Sequence, residues 1–195
     1  MALTITDRID AITRINPEYR HEVLPAPKSV KIELTGNCNF ACTFCARSQK
    51  LREVSTIDRS FFERIIKEMR EEGVEELGLF YLGESFMVPW LPEAIEYAKS
   101  IGFPYIFLTT NGSLAFPGKV EQCMKAGLDS LKFSYNYANG EQLSEIAHVK
   151  QKLFEVIQQN IKDAYKIREK GGYACGLYAS YIEYDTDQSL SLIHI

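Results

Sequence analysis

The sequence lacks three features that would place it in other protein classes. None of its apolar runs approaches the roughly 18 residues that a membrane-spanning helix needs, and its first residues show no secretory pattern. Its net charge is −4, from 22 basic and 26 acidic residues, which argues against a protein that holds nucleic acid mainly through phosphate contacts. We therefore expect a cytoplasmic protein without a membrane or nucleic-acid partner.

Cysteine is scarce and unevenly placed. There are five among 195 residues, an odd number that argues against the evenly paired disulfide framework of a secreted domain. Three of them, Cys38, Cys42 and Cys45, fall within eight residues, which indicates a metal site or redox chemistry. Cys123 and Cys175 stand alone, and we predict that both are buried apolar thiols.

Apolar residues make up 46% of the chain, enough to bury the core of one domain. Apolar segments of strand length alternate with amphipathic segments that end at glycines, a pattern typical of βα units around a parallel sheet. The first helix has a predicted capping box of Ser60 with Glu63. Strands are predicted at 30–35, 77–82, 105–110, 130–136 and 174–183, with helices from Ser60 to Gly73, Pro92 to Gly102, Pro117 to Ala126 and Glu141 to Lys170.

Polar side chains alternate with apolar ones on the first and fourth predicted strands. Strands of a fully packed parallel sheet are apolar on both faces. A polar face on two separate strands therefore predicts a barrel or half-barrel with a wet interior that holds a polar ligand, and an exposed sheet face is the alternative. These polar residues are Lys31, Glu33 and Thr35 on the first strand and Lys132, Ser134 and Asn136 on the fourth.

The clustered cysteines have the spacing C-x3-C-x2-C in a loop just after the first strand. Three such thiolates can bind one soft metal centre, such as zinc, copper or an iron–sulfur cluster. Structural zinc and protein-bound iron–sulfur clusters normally take four protein ligands. No histidine occurs between residues 22 and 147, and the next cysteine is Cys123. Three ligands therefore imply one coordination position left open for another group.

These residues resemble the signature of the radical S-adenosylmethionine (SAM) enzymes. Cys38, Cys42 and Cys45 match the family's C-x3-C-x2-C motif, and Phe44 is the aromatic residue that commonly precedes its last cysteine. The resemblance implies an α/β fold, a partial (β/α)6 TIM-like barrel of the radical SAM type. Here the barrel would be incomplete, with about five βα units.

Three further segments resemble family motifs that meet SAM. Gly83 and Glu84 follow the second strand as in a Gly-Gly-Glu motif, with Leu82 in place of the first glycine. Residues 109–112 resemble a Thr-Asn-Gly segment, although an Asn-Gly pair alone is a turn signal. Ser134 matches a position that often touches the SAM ribose or carboxylate. The cofactor-binding residues that the resemblance implies are Phe44, Gly83, Glu84, Asn111 and Ser134.

The resemblance also implies the cofactors and the reaction. A [4Fe–4S] cluster on Cys38, Cys42 and Cys45 would bind the amino and carboxylate groups of SAM at its fourth iron. One electron would cleave SAM to methionine and a 5′-deoxyadenosyl radical, which takes a hydrogen atom from a polar substrate. The implied partners are a small-molecule or peptide substrate and an electron donor such as flavodoxin or ferredoxin. No catalytic side chain is assigned.

The opening Leu-Thr-Gly-Asn-Cys of the motif resembles the branch of the family that carries an additional SPASM or twitch domain. No such domain follows here, and the last eight residues do not continue the fold pattern. We therefore expect a chain truncated at its C-terminus. The expected divisions are a lead-in over 1–27, a truncated radical SAM core over 28–187 and a non-native tail over 188–195.

Two other interpretations stay open at this point. One is a non-catalytic metal-binding module, with zinc or an iron–sulfur cluster held by the three cysteines and a ligand from elsewhere. A zinc module predicts colourless protein that contains zinc and no iron. The other is a short protein that binds SAM or a nucleotide without radical chemistry, for which Cys42→Ala would leave function unchanged.

Overall fold

The computed structural model describes residues 24–49 and 53–182. Within these residues, five parallel strands form one sheet in the order β1-β2-β3-β4-β5. The spatial order equals the chain order, as in a barrel, whereas a doubly wound sheet reverses direction at a switch point. This topology confirms the predicted α/β fold with the strands of a partial barrel. The expected tail over 188–195 and most of the expected lead-in lie outside the described residues.

Helices and strands alternate along the described chain. The strands are β1 (Ser29–Lys31), β2 (Glu76–Gly78), β3 (Tyr105–Thr110), β4 (Ser130–Ser134) and β5 (Gly176–Ser180). The α-helices are α1 (Arg59–Glu71), α2 (Leu91–Ser100), α3 (Pro117–Lys125), α4 (Gly140–Ala147) and α5 (Leu153–Gly171), and short 3-10 helices span Ala46–Gln49 and Ser85–Met87. No helix in this part of the chain combines the length and apolarity needed to cross a membrane.

The two faces of the sheet differ in character. One face packs beneath the helices and is mostly apolar, and its burial contributes roughly 1.5–3 kcal/mol for each large apolar side chain removed from water. Its buried residues include Leu77, Ile106, Leu108, Leu131 and Phe133, which meet Phe62, Ile66, Ile95, Val120, Ile157 and Ile161 of the helices in one core. The opposite face, called here the open face, is partly exposed and carries Lys31, Phe107, Thr109, Lys132, Ser134 and Tyr178.

The long helix predicted from Glu141 to Lys170 is wrong, because the chain forms two helices there. α4 ends at His148, which has a left-handed backbone with φ 55°. Among the described residues, His148 is the one non-glycine residue with positive φ. Apolar residues continue at a helical spacing on both sides of the break, so the periodicity alone does not show it.

The predicted capping box of the first helix is also wrong. α1 begins one residue earlier, and its N-cap is Asp58, whose side chain accepts a hydrogen bond of 2.8 Å from the backbone N–H of Phe61. Glu63 forms an ion pair with Arg59 instead of bonding back to the cap. An aspartate caps a helix as well as a serine does, so the two candidates cannot be separated by residue type.

The first two strands are shorter than predicted. β1 ends at Lys31, and only the N–H of Ile32 continues the ladder, donating to the carbonyl of Gly78 at 2.7 Å. Thr35 then pairs with Thr56 in an isolated antiparallel bridge. The residues after β1 and β2 leave the sheet at its C-terminal edge, and these departing segments build the site described next.

Candidate functional site

The loop of residues 38–45, called here the cysteine loop, is fastened to its surroundings at several points. The N–H groups of Ala41 and Thr43 donate to the carbonyls of Ala147 and Ile146 at 3.0 and 2.9 Å. These carbonyls are free to accept because α4 stops at His148. The break that ends α4 therefore provides the acceptors that hold the cysteine loop.

Arg47 closes the cysteine loop from its other end. Its guanidinium donates to the carbonyl of Phe40, whose ring is buried in the core. The positive charge of Arg47 also lowers the pKa of the Cys38 and Cys42 thiols, although burial is the larger effect and raises both pKa values overall. Arg47 therefore ties the cysteine loop to the 3-10 helix that follows it.

The three thiols of the loop form no disulfide and are partly buried, and their charges interact with one another. Burial raises the pKa of Cys38 and of Cys42. Negative charge on Cys42 raises the pKa of Cys38 further, and charge on Cys45 does the same to Cys42. A bound cationic centre would remove this repulsion and stabilise all three thiolates together.

The chemistry of the donor set can be compared with the metal centres that thiolates bind. In the described part of the chain, no three histidine, cysteine or acidic side chains are arranged to hold a single metal ion. A single zinc ion needs sulfurs that converge on one point about 2.3 Å away. A polynuclear iron–sulfur cluster instead bonds its cysteines through separate irons. Three neighbouring thiols on one fastened loop fit the second kind of centre.

The two remaining cysteines lie elsewhere in the fold. Cys123 on α3 and Cys175 before β5 are both buried. Burial raises the pKa of each thiol to about 12, which keeps both protonated at neutral pH. Their prediction as buried apolar thiols is confirmed.

A ring of three polar side chains connects the cysteine loop to the end of β3. Asn111 donates from Nδ2 to Oδ1 of Asn39 at 3.0 Å and lies 3.8 Å from the Cys38 sulfur. Asn39 donates to the Ser113 hydroxyl at 2.8 Å, and that hydroxyl donates to Oδ1 of Asn111 at 2.7 Å. Asn39 and Ser113 were not predicted as site residues, because a polar loop residue carries no signal until its distant partner is known.

Glu84 lies at the centre of a second network and is turned into the protein. Its side chain is 2% exposed and accepts hydrogen bonds from the Thr110 hydroxyl, the Asn111 N–H and the Phe86 N–H at 2.8, 2.8 and 3.0 Å. Its own N–H donates to the carbonyl of Asn37 at 2.8 Å. Burial raises the pKa of Glu84, and the three donors oppose that rise. Glu84 thus ties together the loops after β1, β2 and β3.

Gly83 allows the closest backbone contact of the site. A Cβ atom added there would lie 1.7 Å from the carbonyl oxygen of Thr35, so no larger residue fits without moving the backbone. The N–H groups of Leu82 and Gly83 donate to the Glu33 carboxylate at 2.9 and 3.2 Å. The turn at 82–84 is therefore packed directly against the segment that leads into the cysteine loop.

The other two predicted cofactor contacts occupy different surroundings. Phe44 is 46% exposed and lies between Cys42 and Cys45 in the loop. Ser134 is the last residue of β4, is partly exposed on the open face and is level with Ser180 of β5. Within the described residues, neither side chain joins the hydrogen-bond networks of Glu84 and Asn111. The structure therefore brings Cys38, Gly83, Glu84 and Asn111 together and leaves Phe44 and Ser134 outside these networks.

A tyrosine distant in sequence reaches the cysteine loop. The hydroxyl of Tyr137, which follows β4, lies 3.2 Å from the Cys42 sulfur. The ring is 3% exposed. Nothing in the sequence distinguishes this residue from the other ten tyrosines, and the contact spans 95 positions.

Comparison with known proteins identifies relatives of this chain. A family model described as the Radical SAM superfamily matches residues 32–179. A probable GTP 3′,8-cyclase of Methanothermobacter marburgensis is 33% identical over 108 residues, 55% of this chain and 35% of that protein. A PqqA peptide cyclase of Gluconobacter oxydans is 31% identical over 114 residues, 57% of this chain and 31% of that protein. The aligned segment spans about a third of each curated relative.

Solved structures share the fold. SuiB of Streptococcus suis bound to S-adenosylmethionine has a TM-score of 0.65 at 21% identity, covering 85% of this chain and 37% of that chain. BtrN in complex with AdoMet and 2-DOIA has a TM-score of 0.59 at 15% identity, covering 78% of this chain and 56% of that chain. At these identities the comparison shows a shared fold, the arrangement of the sheet and its helices.

Proposed function

The chain belongs to the radical SAM superfamily, and from this premise we propose that it is the core of an enzyme that abstracts a hydrogen atom from a polar substrate. Members of this family are enzymes that use a [4Fe–4S] cluster and SAM. We assign the cluster to Cys38, Cys42 and Cys45. When bound, the cluster and SAM supply the reductive cleavage of SAM and the hydrogen abstraction that follows.

The observation that carries this assignment is the cysteine loop itself. It offers three neighbouring thiols and is fastened by the Ile146 and Ala147 carbonyls and by Arg47. Three protein ligands leave one position for SAM. Because the loop is already held in place, it loses little conformational entropy when its thiols bind a cluster, and this favours cluster binding.

Gly83, Glu84 and Asn111 are proposed to form the side of the site that meets the amino-acid end of SAM. The Glu84 carboxylate is already occupied by three donors, so its role in the proposal is to position the Asn111 backbone and the 83–84 turn. Phe44 and Ser134 complete the proposed contacts from the exposed part of the loop and from the end of β4.

The substrate of the proposed reaction is polar, and a peptide is one class that the relatives support. One relative is named a PqqA peptide cyclase, and a solved structure shows SuiB bound to the precursor peptide SuiA. The GTP 3′,8-cyclases point to a small molecule instead. We further place the protein in the cytoplasm, with an electron donor such as flavodoxin or ferredoxin, and in the branch with a SPASM or twitch domain.

Anaerobic reconstitution tests the proposal. The protein is incubated with iron and sulfide, then with dithionite and SAM, and 5′-deoxyadenosine is measured. We expect a brown protein that forms 5′-deoxyadenosine, and loss of both properties in Cys38→Ala, Cys42→Ala and Cys45→Ala. Cys123→Ala removes a buried thiol outside the loop and serves as the matched control. Purified protein that binds zinc and no iron, or a Cys42→Ala variant with full activity, would overturn the proposal.

A further inference from the structure

Two lysines extend from the open face of the sheet. In the register, Lys31 of β1 is level with Gly78 of β2, and Gly78 with Phe107 of β3. Lys132 of β4 is level with Thr109, two residues after Phe107. Residues at the same level of neighbouring parallel strands point to the same face, and so do residues two apart on one strand. Both lysines therefore share the face that the helices of the described chain leave uncovered.

The space that Lys31 occupies exists because β2 has a glycine there. A Cβ atom on Gly78 would lie 2.9 Å from the Phe107 ring and 3.0 Å from Cγ of Lys31. The Lys31 ammonium lies 5.6 Å from the centre of the Phe80 ring. Its side chain therefore crosses β2 toward the middle of the open face, in the direction of Lys132.

Neither lysine has an anionic partner among the described residues. No ion pair between described residues involves Lys31 or Lys132. The Glu33 carboxylate accepts from the N–H groups of Leu82 and Gly83. Burial lowers the pKa of Lys132, and the positive charge of Lys31 lowers it further. The two ammonium groups repel each other on this partly buried face. An anion that binds between them from outside the protein would offset that repulsion.

We propose that Lys31 and Lys132 together bind an anionic group of the substrate, a phosphate or a carboxylate, on the open face of the sheet. The inference rests on the proposed function, because it treats this face as the substrate side of the site. Ser134, the proposed SAM contact, lies two residues after Lys132 on the same strand and face. An anion held by the lysines would thus fix one end of the substrate beside the cofactor.

Anion binding to the protein tests this inference. Tripolyphosphate and glutarate serve as probes of the phosphate and carboxylate forms, and each is titrated calorimetrically before and after cluster reconstitution. We expect one of the two probes to bind. Lys31→Met and Lys132→Met should each weaken its affinity by about tenfold or more. Lys31→Arg and Lys132→Arg keep the positive charge and should retain most of the affinity. Lys162→Met, at an exposed position of α5, should bind as the unmodified protein does.

The outcomes separate this inference from the proposed function. If neither probe binds, or if both methionine variants bind as tightly as the unmodified protein, the lysine site is overturned even when the cluster assembles. If the cluster fails to assemble, the proposed function fails. Anion binding that depends on both lysines would then still support an anion site on the open face.

A separate observation concerns the cluster ligand Cys42. The Tyr137 hydroxyl lies 3.2 Å from its sulfur, and either group can donate while the thiol keeps its proton. A thiolate bound to iron has no proton, so the phenol must then be the donor. We further infer that Tyr137 is a positioning residue that donates to the Cys42 thiolate and raises the reduction potential of the cluster, since hydrogen bonds to cysteine sulfur stabilise the more negative, reduced state.

A redox titration followed by electron paramagnetic resonance (EPR) tests the role of Tyr137. We expect Tyr137→Phe to retain the iron content of the unmodified protein and to shift its midpoint potential to a more negative value. Tyr135→Phe is the matched control, because Tyr135 is also buried but its hydroxyl bonds to Gln158 at 3.0 Å. An unchanged midpoint potential in Tyr137→Phe overturns this inference alone, whereas absence of iron from the unmodified protein overturns the proposed function with it.

Discussion

Glu84 shows how much of the site depends on one side chain. Its two carboxylate oxygens accept from the Thr110 hydroxyl and from two backbone N–H groups, those of Phe86 and Asn111. An amide of the same shape has only one accepting oxygen, and its NH2 group would face a donor. A buried donor left without its acceptor costs about 1–3 kcal/mol.

We therefore expect Glu84→Gln to lower the free energy of unfolding by about 1–3 kcal/mol, measured by urea denaturation. Glu96→Gln, at an exposed position of α2, makes the same chemical change and should alter stability by less than about 0.5 kcal/mol. Equal stability of Glu84→Gln and the unmodified protein would show that the carboxylate does not hold the three loops together.

Gly83 sets the distance between the 82–84 turn and the segment before the cysteine loop. A methyl group there would overlap the backbone carbonyl of Thr35. The position of a Cβ atom is fixed by the backbone, so neither group can move aside without moving the chain. We expect Gly83→Ala to lower the free energy of unfolding by at least about 2 kcal/mol and to reduce iron binding in parallel.

Gly118 offers the matched control for that substitution. It lies in the first turn of α3, and an added Cβ would meet no heavy atom within 4 Å. Gly118→Ala should therefore raise stability by up to about 1 kcal/mol, because alanine loses less conformational freedom on folding. If both variants were equally stable, the close contact at Gly83 would have no energetic consequence.

At the scale of the elements, the break between α4 and α5 has the clearest effect on the site. His148 ends α4 in a left-handed conformation, which leaves the Ile146 and Ala147 carbonyls to the cysteine loop. A continuous helix would use these carbonyls for its own i+4 hydrogen bonds. The short α4 is thus the element that fastens the proposed cluster ligands.

The backbone at His148 predicts opposite effects for two substitutions. His148→Val should lower the free energy of unfolding by about 1–2 kcal/mol, since a β-branched residue is disfavoured in the left-handed region. His148→Gly should leave it unchanged or raise it by less than about 1 kcal/mol, since glycine adopts positive φ without strain. Thermal or urea unfolding measures both. Greater stability of the valine variant would contradict the left-handed conformation.

The elements also show what the sequence can predict. The predicted limits of β3, residues 105 and 110, agree with the structure, because Pro104 and the Asn-Gly turn mark them locally. β1 and β2 were predicted too long, because residues 32–35 alternate and residues 79–82 are continuously apolar. Both patterns are typical of strands, although both segments leave the sheet. The break at His148 was missed, since neither residue type nor periodicity signals it.

The same division applies to the site. The cysteines, Gly83, Glu84 and Asn111 could be proposed from the sequence because each follows a predicted strand within a short motif. Asn39, Ser113 and Tyr137 were not found, because their contacts join positions 74 to 95 residues apart. Such contacts depend on the three-dimensional fold and leave no local pattern.

At the scale of the whole molecule, the parallel sheet explains why separate motifs meet. All five strands run in the same direction, so the segments after β1, β2, β3 and β4 emerge at one edge. The C-terminal edge is also where barrel enzymes of this type hold their active sites. The cysteine loop, the 82–84 turn, Asn111 and Tyr137 each follow one of these strands, and together they form the proposed cofactor side of the open face.

The central claim is that three cysteines hold a cluster with one position open for SAM. EPR of the reconstituted, dithionite-reduced protein, recorded with and without SAM, tests it most directly. We predict a signal from a reduced iron–sulfur cluster that changes shape when SAM is added and is absent from Cys42→Ala. A signal unaffected by SAM, or one that persists in Cys42→Ala, would contradict the claim.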